Sequence, residues 1–168
     1  KEPMIHLLPH WNFTHKKGES INVWAYTNCQ QAELFLNGIS LGIKDVEQYK
    51  HVEWSVPFEE GTIAVVGYND GKKVCRDEHT TSGDPQRLML KCENAFDVCA
   101  NGQDILLLTC YCVDENGIEV PDASPFVSFD TNDLGRIVGT GSDVSDHIPV
   151  TCPDRKMRAG RISIAVKV

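Results

Sequence analysis

The stretch INVWAYTNCQQAELFLNGISLGI, residues 21–43, decides the fold. Ile21, Val23 and Ala25 fall on one side of an extended chain, and Trp24 and Tyr26 fall on the other, because successive side chains of a strand point to opposite faces. Ala32, Leu34 and Leu36 repeat the alternation against Glu33 and Phe35. Asn37-Gly38 then supplies a strong hairpin signal, since both residue types accept the positive φ of a two-residue turn. Ile39–Ile43 is the strand that follows it. A period of two governs the whole stretch, and helical periodicity is nearly missing elsewhere.

The same pattern extends outward in both directions. Met4–Leu8 is an apolar run before it; His51–Val56 follows, with Val52, Trp54 and Val56 on the inner side. Thr62–Tyr68 and Lys72–Thr80 flank a tight turn at Asn69-Asp70-Gly71. Ser82-Gly83-Asp84-Pro85 is turn-rich and marks a domain boundary. Beyond it the spacing predicts strands at Arg87–Cys92, Ile105–Val113, Ile118–Val120, Phe126–Asp130, Arg136–Gly139 and Arg161–Val168, with a turn at Asp114–Gly117. Short strands at such intervals describe an all-β chain, read here as two tandem immunoglobulin-like β-sandwiches over residues 1–82 and 83–168.

A chain of 168 residues has room for one large domain or two small ones. Its net charge of -8, without any basic stripe, argues against a nucleic-acid partner. No apolar run approaches the roughly 20 residues of a membrane-spanning helix, so no membrane partner is expected. The sequence opens Lys-Glu-Pro without an initiator Met and reads as cut from a longer protein. Seven cysteines, an odd number at irregular spacing, fit reduced thiols better than a secreted disulfide framework. A bacterial cytoplasmic setting is therefore expected over a secreted or periplasmic one.

Candidate chemistry is sparse. Cys110 and Cys112 share a strand face and could form half of a thiolate metal site. Leu106 and Leu108 continue that face, which favours a core position, because free cysteine behaves as a small hydrophobe. Asp143, Asp146 and His147 gather in Gly141–Pro149, where carboxylates and an imidazole could serve acid/base chemistry or ligate a metal. Loops of this composition are more often solvated turns, and Glu59-Glu60 before Gly61 reads the same way. Asn12-Phe13-Thr14 fits a glycosylation sequon, a weak pattern with no meaning in a bacterial cytosol. No nucleophile elbow, phosphate loop or dinucleotide fingerprint occurs. No catalytic residue, metal site or cofactor is assigned.

The aromatic residues say more. If Ile21, Val23 and Ala25 face the core, Trp24 and Tyr26 point away from it, and the same count turns Phe35, Val66 and Tyr68 outward. His10 and Trp11 stand in the loop just before. A large exposed apolar face usually marks an interface. Docking of a neighbouring domain, cover by loops of the same sandwich, and stacking on sugar rings all stay open, with docking favoured.

Together these residues resemble a known family. The segments HLLPHWNF, GESINVWAYTN and AELFLNGISLG, then HVEWSVPFEEGTIAVVGYNDGKKV and TTSGDPQRLML, are similar to a C-terminal sandwich domain of bacterial glycoside hydrolase family 2 enzymes, the β-galactosidases in particular. NGQDILLLTCYCVDENGIEVPDA and GRIVGTGSDVSDHIP resemble the invasin-like or bacterial-immunoglobulin-like sandwich that follows it. The family pattern carries valine-like residues at positions 110 and 112, which supports burial of the two thiols. It also carries Arg-Lys-Ala-Phe-Asn-Gly before the last strand, where this chain has Arg155-Lys156-Met157-Arg158-Ala159-Gly160, so the aromatic and the Asn are replaced at Arg158 and Ala159.

The resemblance implies a retaining glycosidase whose two glutamates lie upstream on a (β/α)8 barrel. Its implied partners are that barrel and, through the parent enzyme, β-galactosides. His10, Trp11, Trp24, Tyr26, Phe35 and Tyr68 are the candidates for a substrate-proximal or domain-docking role, the first three above all for support near the substrate entrance. An autonomous carbohydrate-binding module and an adhesin-like spacer are the rival readings.

Overall fold

The computed structural model describes residues 1–168 and is all-β, in two compact units, Lys1–Thr81 and Ser82–Val168. The N-terminal unit has seven strands: β1 (Ile5–Leu8), β2 (Ser20–Thr27), β3 (Gln31–Leu36), β4 (Ile39–Asp45), β5 (Val52–Pro57), β6 (Thr62–Asn69) and β7 (Lys72–Thr80). They form two antiparallel sheets, ordered β1-β2-β5 and β4-β3-β6-β7. The chain crosses between sheets after β2, after β4 and after β5, an arrangement compatible with an immunoglobulin-like sandwich.

Alternation explains this core. Ile21, Val23 and Ala25 of β2 and Val52, Trp54 and Val56 of β5 are buried, in one cluster with Ala32, Leu34 and Leu36 of β3 and Ile63 and Val65 of β6. Leu7, Trp11 and Phe58 complete that cluster. Two hairpins of this unit close on turns with positive φ at both central residues, Asn37-Gly38 and Asp70-Gly71, the type I′ geometry that matches strand twist.

The C-terminal unit contains β8 (Arg87–Cys92), β9 (Ile105–Val113), β10 (Phe126–Ser128), β11 (Arg136–Gly141), β12 (Asp154–Lys156) and β13 (Arg161–Lys167). Four of them form the antiparallel sheet β11-β13-β9-β8, and β10 pairs with β12. Its core joins Cys110 and Cys112 to Val120, Val127, Met157, Ile162, Ile164 and Val166. Both thiols are core side chains, and burial pushes each above the usual thiol range.

Two elements differ from expectation. Residues 118–120 form no strand, only a single bridge from Glu119 to Val113. The buried carboxylate of Asp114 gathers the N–H groups of Asn116 and Ile118, each at 2.9 Å, and so holds a tight turn where a longer pairing would need an open hairpin. Strand β12 has no apolar alternation, because the inward residue of Asp154-Arg155-Lys156 is an arginine.

The turn into β13 carries a mismatch. Ala159 and Gly160 have φ of 48° and 67° between the bridged residues Arg158 and Arg161. Gly160 is required, since a Cβ there would lie 2.2 Å from the Val120 carbonyl oxygen. Ala159 has no such excuse: an alanine in the left-handed region costs about 1–2 kcal/mol, whereas Asn can be accommodated there. Ala159→Asn, the residue of the resembled pattern, is expected to stabilise the C-terminal unit by about 0.5–1 kcal/mol. Urea denaturation midpoints at unchanged slope check it, and a lower midpoint would refute it.

Candidate functional site

Strand parity places Trp24 and Tyr26 on the outer face of β1-β2-β5. Trp24 is 39% exposed and Tyr26 43%, far more than any core ring. Across the ladder, Tyr26 stands opposite His6, and Trp24 lies between Leu8 and Glu53. The His51 ring approaches both aromatics, with centroids 5.3 Å from Trp24 and 5.2 Å from Tyr26. The His51 Nε2 is 2.6 Å from the Glu53 carboxylate. His6 Nδ1 is 3.2 Å from Asp77, whose same oxygen accepts the Leu7 N–H at 2.8 Å. The result is an aromatic–histidine face whose rings are braced from one side.

Phe35 and Tyr68 do not join that face. They lie on the outer side of β4-β3-β6-β7, the opposite surface of the sandwich. Phe35 stands opposite Ala64, and Val66 stands between Glu33 and Arg76. Ala64 and Val66 are buried despite pointing outward, beneath the longer side chains of the neighbouring strands. Tyr68 donates its hydroxyl to Glu33 at 2.5 Å, and Ser40 donates to the other carboxylate oxygen at 2.7 Å. These two bonds, Ser40 foremost, hold Glu33 below the usual carboxylate range, and the Glu33 contact pushes Tyr68 up to about 12. The single outward patch read from the sequence is therefore two patches on opposite surfaces. Parity fixes which side of its own strand a residue takes, but not which sheet the strand joins.

Trp11 is a correction. It is 1% exposed, packed against Phe58 with centroids 5.1 Å apart, and its indole N–H donates to the Glu59 carbonyl at 2.8 Å. An indole with its face in the core and its donor satisfied stacks on no ligand. His10 is half-buried, stacked on Phe13 at 4.6 Å, with its Nδ1 accepting the Asn12 N–H. Asn12 is itself buried, which is unsuitable for a glycan.

The segment around Asp143 and His147 is the exposed turn its composition suggests, with Asp143, Ser145 and His147 all on the surface, and only Asp146 is drawn inward. Arg155, 1% exposed, reaches into this loop: it pairs with Asp146, donates Nε to Thr140 Oγ1 at 3.0 Å and donates to the Pro149 carbonyl at 2.9 Å. Ser142 and the Ile148 N–H also bond to Asp146. These bonds, Arg155 foremost, hold the Asp146 carboxyl down to about 2. Asp143 instead accepts the Ser145 N–H and hydroxyl. Asp146 alone anchors the loop; Asp143 caps its own turn and His147 stays exposed. Sequence reasoning missed Arg155, for which only the charge inside a three-residue run between Pro153 and Met157 offered a signal.

Comparison with known proteins decides the family. Residues 90–168 match the family described as glycoside hydrolase family 2 C-terminal domain 5, and residues 18–75 match a domain of unknown function, DUF4982. The chain carries a glycoside hydrolase family 2 C-terminal domain. The family 2 chain is 38% identical over 147 residues to the β-galactosidase BoGH2A of Bacteroides ovatus, covering 84% of this chain and 17% of that protein. A protein of Formosa agariphila, named for an inferred β-glucuronidase activity, is 50% identical over 93 residues, 52% of this chain and 9% of its own. A β-glycosidase of Bacteroides vulgatus superposes with a TM-score of 0.91 at 32% identity, over 99% of this chain and 21% of that one. The chain thus spans about a fifth or less of the length of these three proteins.

Proposed function

We propose that the chain is a non-catalytic support of a β-galactosidase-like glycosidase, packing on a (β/α)8 catalytic barrel upstream in the same polypeptide. One observation carries the reading: nearly the whole chain aligns with about a fifth of a β-glycosidase. The polar clusters fit a supporting role, since Asp114, Asp143 and Asp146 spend their carboxylates on N–H groups, a hydroxyl and an arginine of the unit's own loops. The face around Trp24 and Tyr26 is the docking surface of this proposal. His51 and Glu53 already crowd one side of those rings, which favours a protein contact over sugar stacking.

The test uses the 168-residue chain and the enzyme that contains it. The chain alone releases no chromophore from nitrophenyl β-galactoside or β-glucuronide, whereas the enzyme turns over one of them. Trp24→Ala leaves the melting of the isolated chain nearly unchanged but lowers that of the enzyme. Turnover by the chain alone would defeat the reading. Saturable heat with lactose, lost on Trp24→Ala, would replace it with a carbohydrate-binding module.

A further inference from the structure

The N-terminal unit holds a thiol pair that neither the core nor the outer faces explain. Cys29 lies in the connection between β2 and β3, and Cys75 lies on the edge strand β7, 46 residues further along. Their Sγ atoms are 3.4 Å apart. The strand between them is β6, and its residue opposite Cys75 is Gly67. A Cβ at position 67 would lie 2.7 Å from both sulfurs, closer than real Cβ atoms come. The two thiols meet only because the intervening residue has no side chain. The backbone around Cys29 is fixed: its N–H donates to Thr27 Oγ1 at 3.0 Å, and the next N–H donates to the Tyr68 carbonyl at 3.1 Å.

We infer that Cys29 and Cys75 are a disulfide-forming pair that clasps the β2–β3 connection to the edge strand β7 when a disulfide oxidant is present. Cys75 is half-exposed and Cys29 is buried, so Cys75 is the sulfur a small oxidant meets first. As thiolate it attacks one sulfur of oxidised glutathione; that S–S bond breaks, a mixed disulfide forms and one glutathione thiolate leaves. Cys29 then gives up its proton and attacks the Cys75 sulfur, expelling the second glutathione. Two protein thiols become one disulfide, one glutathione disulfide becomes two glutathione thiols, and the released protons go to them. Burial, with the Cys29 contact, pushes the Cys75 thiol up to about 11, so closure is slow at neutral pH and faster at alkaline pH. In a reducing cytosol the pair stays open, and transfer to an oxidising compartment closes it.

The experiment uses the full 168-residue chain with Cys92, Cys99 and Cys152 replaced by serine, which leaves only this pair and the two core thiols Cys110 and Cys112. After incubation with oxidised glutathione and alkylation in denaturant, only Cys110 and Cys112 are labelled, the mass falls by two hydrogens, and peptide mapping finds Cys29 joined to Cys75. Melting of the N-terminal unit rises by about 15 °C or more, as expected for a closed loop of this length, and dithiothreitol reverses the rise. Cys75→Ser abolishes the mass change and the shift together. Four labelled thiols, a stable glutathione adduct on Cys75, or a linkage that involves Cys110 or Cys112 would overturn the inference.

Discussion

Trp11→Ala is expected to lower the melting temperature of the N-terminal unit by about 20 °C or more, whereas Trp24→Ala in the same chain shifts it by only a few degrees. The two residues have the same side chain and sit 13 positions apart, but they differ in what surrounds them. Trp11 is sealed beside Phe58 and donates to Glu59, and its carbonyl accepts the Thr81 hydroxyl at 2.8 Å. Truncation leaves a cavity the size of an indole and orphans a carbonyl, a loss of about 3–5 kcal/mol. That is about a fifth or more of the roughly 5–15 kcal/mol that holds a domain together. Trp24 has solvent over its outer side and loses little in the isolated chain. Tryptophan fluorescence separates the cases, because removing Trp11 weakens the blue-shifted emission that it shares with the buried Trp54, whereas removing Trp24 deletes the red-shifted part. Equal shifts in melting for the two variants would contradict the burial assigned to Trp11.

That contrast shows where the sequence is legible. Within a strand the alternation reads true, so Ile21, Val23, Ala25, Cys110 and Cys112 are core, and Trp24 and Tyr26 point outward. Asn37-Gly38 and the Asp70-Gly71 pair read true for a local reason, since a turn that needs positive φ restricts its residues. Trp11 lies in a connection, where no periodicity tells a core plug from an exposed ring. Phe35 and Trp24 look like neighbours in the count, but the crossing after β2 sends them to opposite surfaces. The Cys29–Cys75 approach depends on Gly67 and on strand order, neither of which spacing reveals. Arg155 is the hardest case. It breaks the rule that inward residues are apolar, and only its partners, brought from residues 140–149, make the break tolerable.

Those partners set the second large effect. Arg155→Met is expected to lower the melting temperature of the C-terminal unit by about 10–20 °C, with little change in the N-terminal unit. Methionine fills much of the volume but donates nothing. The Asp146 carboxylate, whose side chain is only 6% exposed, then loses its counter-charge, and the Pro149 and Ile148 carbonyls lose their donor. Breaking one partner of such a pair costs more than replacing both by apolar groups, so adding Asp146→Leu to Arg155→Met should recover part of the loss. The pH dependence gives an independent check. Asp146 sits near 2 in the folded unit, against about 3.9 in an unfolded chain. A carboxyl depressed on folding stabilises above its unfolded value, so its contribution is complete above about pH 4 and disappears as pH falls towards 2. Wild type should lose stability steeply through that window. Arg155→Met, with Asp146 back near or above its ordinary value, should already lack the contribution at neutral pH and show a shallower acid slope. Parallel acid curves for the two proteins would mean that the loop 142–149 is held by something other than this pair.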